Sequence, residues 1–164
     1  MMASEFTYDG GVKRIRLLGS GGIGDVFLVQ MQNSNYFAFK TLNSQNIFNK
    51  KALQSLKTEY DMLSNLVHPN IIRAHGWANI LGDIGILMEY IDGHNPSWEK
   101  FVSAPVKKKI CQAVRYLRSL PQPIVHNDIK PSNVIVEPTG RVVLLDFSAA
   151  YYCGTTPPKI GRPE

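Results

Sequence analysis

Two cysteines in 164 residues, Cys111 and Cys153, are too few for a disulfide framework and fit a reducing compartment. Long apolar runs are missing too. No stretch approaches the roughly 18 consecutive apolar residues of a membrane-spanning helix. The N-terminal MMASEFTYDGG has no apolar core of signal-peptide length. No internal repeat is evident and no segment is of low complexity. Acidic residues are the scarcer charge: 18 Lys and Arg stand against 13 Asp and Glu, a net charge of +5. A nucleic-acid binder gathers such an excess on one element. The one dense run here is Lys107-Lys108-Lys109, in a predicted helix. It reads as a solvated helix face or as an attractor of phosphate or of an acidic partner. These absences predict no nucleic-acid partner, no membrane and a cytoplasmic location, and delivery into a host cytosol would leave no trace in them. Hydrophobic content of 44% and charged content of 19% are those of an ordinary globular protein, long enough for one domain or two small lobes.

Apolar periodicity supplies the elements. Val12–Leu18 alternates as a half-buried strand, Gly19-Ser20-Gly21-Gly22-Ile23-Gly24 breaks it, and Asp25–Gln30 resumes as its hairpin partner. Tyr36–Leu42 reads as a third strand after the turn Asn33-Ser34-Asn35. From Lys50 to Leu66 the period changes: Leu53, Leu56, Tyr60, Leu63 and Leu66 mark one face of a helix. Ile71-Ile72 and Ile84–Ile91 read as two more strands. The sum is a five-stranded antiparallel sheet with one inserted helix, over residues 1–91. A boundary at Asp92-Gly93-His94-Asn95-Pro96 opens the second part, 92–164. There Ser103 caps a helix with Pro105 in its first turn and an apolar face of Val106, Ile110, Ala113, Val114 and Leu117. Short strands at Val134–Val136 and Val142–Leu145 follow, and the tail after Ala150 reads as a loop.

Several residues carry chemistry. Glycines at 19, 21 and 24 between two strands let backbone amides approach a phosphate, since no Cβ intervenes. The strand that follows the loop argues against a dinucleotide site, which needs a helix there. Val26 on the outgoing strand can cover a flat base. On the third strand Ala38 and Lys40 share one face, Phe37 and Phe39 the other. Lys40 is then either a solvated edge lysine or an ammonium beside a ligand for which small Ala38 leaves room. Glu59 lies at the border of the helix's apolar stripe, where an uncompensated carboxylate is costly; Lys40 is its natural partner, and Lys57 or water the alternative. The segment HNDIKPSN, 126–133, holds Asp128, Lys130 and Asn133 in a polar loop, and Asp146 ends an apolar strand. Asp128 can take or orient a hydroxyl proton. Lys130 can neutralise a moving phosphoryl group. Asn133 and Asp146 offer oxygens to Mg²⁺. His126 reads as a structural histidine bonded to backbone, and Trp77 and Trp98 as packing residues.

In this order the motifs resemble those of the eukaryotic-type protein kinases, on the serine/threonine branch. The likeness runs through GSGGIGDV (19–26), AFK (38–40), Glu59 ahead of LVHPNII (66–72), LMEYIDG (87–93), HNDIKPSN (126–133) and DFS (146–148). The resemblance implies an α+β, two-lobe fold with ATP and Mg²⁺ as cofactors and a protein hydroxyl as substrate. It implies ATP contacts from Leu18, Gly19, Ser20, Gly21, Gly22, Ile23, Gly24, Val26, Ala38 and Lys40. Met88 would stand beside the adenine, with the main chain of Glu89 and Ile91 on its edge. Asp128 would be the catalytic base, supported by Lys130, and Lys40 would be held by Glu59. Asn133 and Asp146 would be the metal ligands. Three departures bear on this. Asn127 stands where the family has Arg before the catalytic Asp, so gating by phosphorylation of the following loop is not expected. Ser148 replaces the glycine after Asp-Phe. Arg162-Pro163-Glu164 resembles the family's mid-domain Ala-Pro-Glu, so the chain reads as a truncated or minimal kinase with a partial helical C-lobe. Such a lobe would leave an apolar surface for self-association or a protein partner. The alternative function is a catalytically weak kinase-like module that binds or inhibits a partner.

Overall fold

The computed structural model describes residues 5–8 and 10–158. Its contacts divide the chain into two units, one made of residues 5–65 and Arg73–Tyr90, the other of Leu66–Ile72 and residues 91–158. The expected Ala-Pro-Glu-like position, Arg162-Pro163-Glu164, lies outside the described residues.

The first unit is a mixed six-stranded sheet with one helix. Its strands are β1 (Glu5–Tyr8), β2 (Lys13–Ser20), β3 (Gly24–Gln30), β4 (Tyr36–Leu42), β5 (Ala74–Ile80) and β6 (Asp83–Glu89), in the order β1-β5-β6-β4-β3-β2. All neighbours are antiparallel except β1 and β5, where Glu5 lies opposite Trp77 and Tyr8 opposite Ile80 in parallel register. The sheet therefore has one strand more than the five expected. A second expectation fails at Ile71-Ile72. Ile71 makes only an isolated bridge to Leu144, and the strand begins three residues later. On one face Phe39, fully buried, packs with Val12, Val29, Met31, Ala78, Ile80 and Leu87, and Phe37 joins from the edge. This is the aromatic side of β4 that period-two alternation predicts.

Helix α1 (Lys50–Leu63) is capped by Asn49, whose side chain accepts from the N–H groups of Lys51 and Ala52. It ends three residues before the expected Leu66. The Asp61 carbonyl accepts from both Ser64 Oγ and Asn65 Nδ2, so side chains satisfy an end that further helix would otherwise cover. Ala52, Leu56, Glu59, Tyr60, Met62 and Leu63 are buried, with Tyr60 against Trp77 at 5.8 Å between ring centroids.

The second unit is built on α3 (Ala104–Ser119), preceded by the single-turn α2 (Trp98–Phe101). Ser103 is the N-cap of α3 by position, yet its hydroxyl donates to the Lys100 carbonyl and caps no helix N–H. Val106, Ile110, Ala113 and Leu117 form the buried stripe. Two small ribbons pack in this unit: β7 (Ile124–Val125) with β10 (Tyr151–Tyr152), and β8 (Val134–Val136) with β9 (Val142–Leu144). The ribbon β7–β10 shows that the tail is not wholly loop. Trp98 is 66% exposed and touches Phe101 edge-on, so it is not the packing residue expected. Among the described residues no helix is long and apolar enough to cross a membrane.

Candidate active site

In the first unit the candidate residues lie on four adjacent strands, β2, β3, β4 and β6, on the turn between β2 and β3, and on α1. Val26 on β3 pairs with Lys40 on β4, and Lys40 pairs on its other side with Ile86 on β6. The Lys40 ammonium is 2.8 Å from Glu59 Oε1 and 3.0 Å from Oε2, with side-chain exposures of 9% and 2%. Of the two partners open to Glu59 in the sequence, the lysine on the sheet is the one it takes. Such a pair is a weak source of stability, because removing two charges from water offsets their attraction. What it does is fix an ammonium at one place.

The glycine turn between β2 and β3 is closed by the Gly21 N–H donating to the Gly24 carbonyl at 2.8 Å. Its glycines answer to different needs. A Cβ on Gly24 would stand 2.2 Å from the Thr41 carbonyl oxygen, so this glycine is required by the close approach of β4. At Gly19 nothing lies within 4 Å of a Cβ position, and at Gly21 the nearest atom is 3.6 Å away. None of the three has a left-handed φ. Close approach of the protein's own atoms therefore does not account for glycine at 19 and 21, although Gly19 lies at a register shift between β2 and β3. Ser20 and Gly22 are exposed beside them, Leu18 is half-buried and Ile23 is buried. Ala38 and Met88 are buried opposite one another across β4 and β6. Glu89, which ends β6, donates its N–H to the Arg73 carbonyl and accepts the Arg73 N–H on Oε1.

In the second unit a single hydrogen-bonded network orders the loop 126–133. His126 is 3% exposed. Its Nδ1 accepts from the Asp128 N–H at 3.1 Å, which places the ring proton on Nε2, where it donates to the Leu145 carbonyl at 2.7 Å. Burial pushes its pKa down, against the opposing pull of that carbonyl and of Asp146 and Asp128, so the ring is neutral. The ring also meets Phe147 edge-on at 4.8 Å. Asn133 Nδ2 donates to Asp128 Oδ2 at 2.9 Å and to the Asp128 carbonyl at 2.8 Å, while the Asn133 N–H is held by Lys130 and its carbonyl by the Leu145 N–H. Lys130 Nζ lies 3.5 Å from Asp128 Oδ1, half exposed. The structure thus brings Asp128, Lys130 and Asn133 together and ties them, through His126, to the strand end that carries Asp146. Ile91, which begins this unit, is buried.

Asp146 has φ 52, a left-handed conformation that a non-glycine residue adopts at a cost. The following Ser148 has no such φ and donates its N–H to Asp146 Oδ1 at 3.1 Å, so serine in place of glycine adds no backbone strain there. Asn133 turns its amide hydrogens toward Asp128, and its Oδ1 takes no part in those two bonds. An amide oxygen and a carboxylate are hard donors, and Mg²⁺ uses one or two of these, with phosphates and water supplying the rest. The residues therefore fit a hard divalent cation, although no cluster of three or more His, Cys, Asp or Glu occurs among the described residues.

Sequence reasoning missed two supports. Asn127 (φ 72) donates to the Ala149 carbonyl at 3.2 Å, and Asn95 Nδ2 donates to the Val134 carbonyl at 2.7 Å. Neither has a signal beyond asparagine in a polar loop.

The family model described as "Protein kinase domain" matches residues 12–159. The chain belongs to that family. Among its relatives are cAMP-dependent protein kinase type 3 of Saccharomyces cerevisiae, 31% identical over 159 residues, and Aurora kinase of Candida albicans, 34% identical over 139. The cAMP-dependent protein kinase catalytic subunit of Dictyostelium discoideum is 30% identical over 145 residues. These alignments cover 86%, 80% and 84% of this chain but 39%, 26% and 22% of the relatives. The kinase-domain chain thus spans well under half the length of the proteins it matches. Family membership carries with it the α+β kinase fold, and members of the family generally use ATP with a divalent metal.

Proposed function

We propose that this kinase domain binds Mg·ATP and transfers the γ-phosphoryl group to a serine or threonine hydroxyl of a protein. The observation that carries the reading is the buried Lys40–Glu59 pair. It holds a cation on the sheet face that bears Val26 and Ala38, at a cost that stability alone does not return. The glycine turn, with room over Gly19 and Gly21, is the place for the phosphates. The backbone of Glu89 and Ile91 is assigned to the adenine edge, beside Met88.

In the transfer, the substrate oxygen bonds to the γ-phosphorus as the bond to the β,γ-bridging oxygen breaks and ADP leaves. The hydroxyl proton passes to the Asp128 carboxylate, which the Asn133 amide holds by one oxygen while the other lies 3.5 Å from the half-exposed Lys130 ammonium. Lys130 balances charge on the moving group. Asn133 Oδ1 and the Asp146 carboxylate would hold the divalent ion, which when bound neutralises phosphate charge.

The test is labelled ATP with a serine/threonine peptide library, for the parent chain and Asp128→Asn. The variant is expected to keep its Mg·ATP-induced rise in melting temperature. It is expected to lose at least about a hundredfold in transfer. Transfer that survives the substitution would overturn the role of Asp128. A melting curve indifferent to Mg·ATP would overturn the nucleotide site. Binding with no transfer in the parent chain would identify the kinase-like module instead.

A further inference from the structure

The chain's whole excess of positive charge sits on one helix. α3 carries Lys107, Lys108, Lys109, Arg115 and Arg118 and no acidic residue. Taking those five from the 18 basic residues leaves 13, equal to the 13 acidic ones, so the rest of the chain is formally neutral. Helical spacing puts Lys109 beside the buried stripe on the side of Tyr116, Lys107 and Arg118 together on the other side, and Arg115 on the outer face of the helix, from which its long side chain reaches the side of Tyr116.

The side chains of Lys109, Arg115 and Tyr116 form one wall of an open trough of about 750 Å³ within the second unit. The other walls are the loop at His68–Asn70 and the β8–β9 turn at Thr139–Arg141. Those walls are preformed. The Tyr116 hydroxyl accepts from the Val67 N–H at 3.0 Å, and its ring lies 4.9 Å from that of His68. Arg141 Nε donates to the Pro69 carbonyl at 3.1 Å, and Asn70 Nδ2 to the Val142 carbonyl at 2.9 Å. Arg141 is also matched by Glu137 at 3.0 Å. Lys109 and Arg115 are exposed and meet no carboxylate among the described residues, and no acidic side chain lines the trough.

We propose that this trough docks an acidic segment, rich in Asp and Glu, of a partner protein. Unmatched cations on a rigid concave wall complement an extended anionic chain. The two rings that line the trough, of Tyr116 and His68, are tilted 35° against each other rather than laid out as a flat platform for nucleic-acid bases. A concave wall without an exposed apolar stripe is not the amphipathic face that lies on a bilayer. The site shares no residue with the loop 126–133 or with Asp146, so it goes beyond the proposed transfer reaction and can be tested without it.

The experiment is fluorescence anisotropy on the full chain. The probes are a labelled Asp/Glu-rich peptide, the same peptide with Asn/Gln, a single-stranded oligonucleotide and phosphatidylserine vesicles. Two double charge reversals are compared: Lys109→Glu with Arg115→Glu, and Lys107→Glu with Arg118→Glu. Both change the net charge equally, and circular dichroism melting verifies that both fold. The acidic peptide is expected to bind and the amide peptide not to. Binding should weaken with salt, as screening over about 8 Å at physiological ionic strength requires. It should weaken about tenfold or more in the trough variant and much less in the other, each tenfold being about 1.4 kcal/mol. Equal losses in the two variants would reduce the effect to bulk charge and overturn the proposal. So would indifference to peptide charge, or tighter binding of the oligonucleotide or the vesicles.

Discussion

At the scale of single residues the structure separates what the fold requires from what a ligand requires. Gly24 is held against the Thr41 carbonyl, so Gly24→Ala forces backbone apart and should cost about 1–3 kcal/mol. Gly19 and Gly21 have open space, so alanine there should change stability by less than about 1 kcal/mol while weakening nucleotide binding. Chemical denaturation and ATP titration of the three variants verify this; a nucleotide defect confined to Gly24→Ala would contradict it. Lys40 obeys the opposite logic. Lys40→Met removes the cation beside the Glu59 carboxylate at 2% exposure and should cost about 3–5 kcal/mol, whereas adding Glu59→Leu should restore much of that loss. A double variant no more stable than the single one would show that the pair is not what the lysine stabilises. This pair was legible in the sequence because β4 alternates cleanly and Glu59 sits at the edge of a helical stripe. The difference among the three glycines was not, because it depends on how near a neighbouring strand runs.

At the scale of elements, legibility follows apolar period. β4 and α1 announce themselves because Phe37 and Phe39 alternate and Leu56, Tyr60 and Leu63 recur along one face. β5, with sequence AHGWANI, does not: Ala, His and Gly favour no strand, and a register shift between Ala74 and Gly76 breaks the alternation. It is a strand because β1 and β6 hydrogen-bond it on both sides. β10 is hidden in a tail of glycine, proline and threonine, and its pairing is set by distant partners: Tyr151 opposite Val125, Tyr152 opposite Ile124, and the Cys153 N–H on the Pro123 carbonyl. Asn127 adds a bond from the loop to Ala149. Together these bonds hold residues 149–153. Amide exchange of the unmodified chain should therefore show protection at Tyr151 and Cys153, whose N–H groups face Val125 and Pro123, with Tyr152 opposite Ile124 in a non-bonded pair. Asn127→Ala should lose that bond and place alanine in a left-handed conformation, costing about 1–3 kcal/mol and reducing the protection. Exchange at the solvent rate in the unmodified chain would mean that the segment needs another group to order it.

At the scale of the whole molecule, three of the four histidines share one electrostatic condition. Burial lowers the pKa of His126, His68 and His75, with the charges of Glu89 and Arg73 acting in opposite directions on His75. His75 is exposed and His68 half-buried, so solvent screens most of their effect, and His126 at 3% exposure dominates. Its folded pKa lies below the unfolded value of about 6.5. Between the two values the unfolded chain binds more protons than the folded one. The stabilisation from keeping His126 neutral is therefore complete above about pH 6.5 and is lost as pH falls through the folded value. Protonation would also put a hydrogen on Nδ1, which now accepts from the Asp128 N–H, so the loop that carries Asp128 should loosen with the histidine. Melting temperature should thus fall as pH drops from 7 toward 5, and transfer activity should fall with it. In His126→Gln the melting temperature should be lower at pH 7 but flatter across this range, since the group that titrates is gone. A slope unchanged in that variant would assign the pH dependence to groups other than the buried ring.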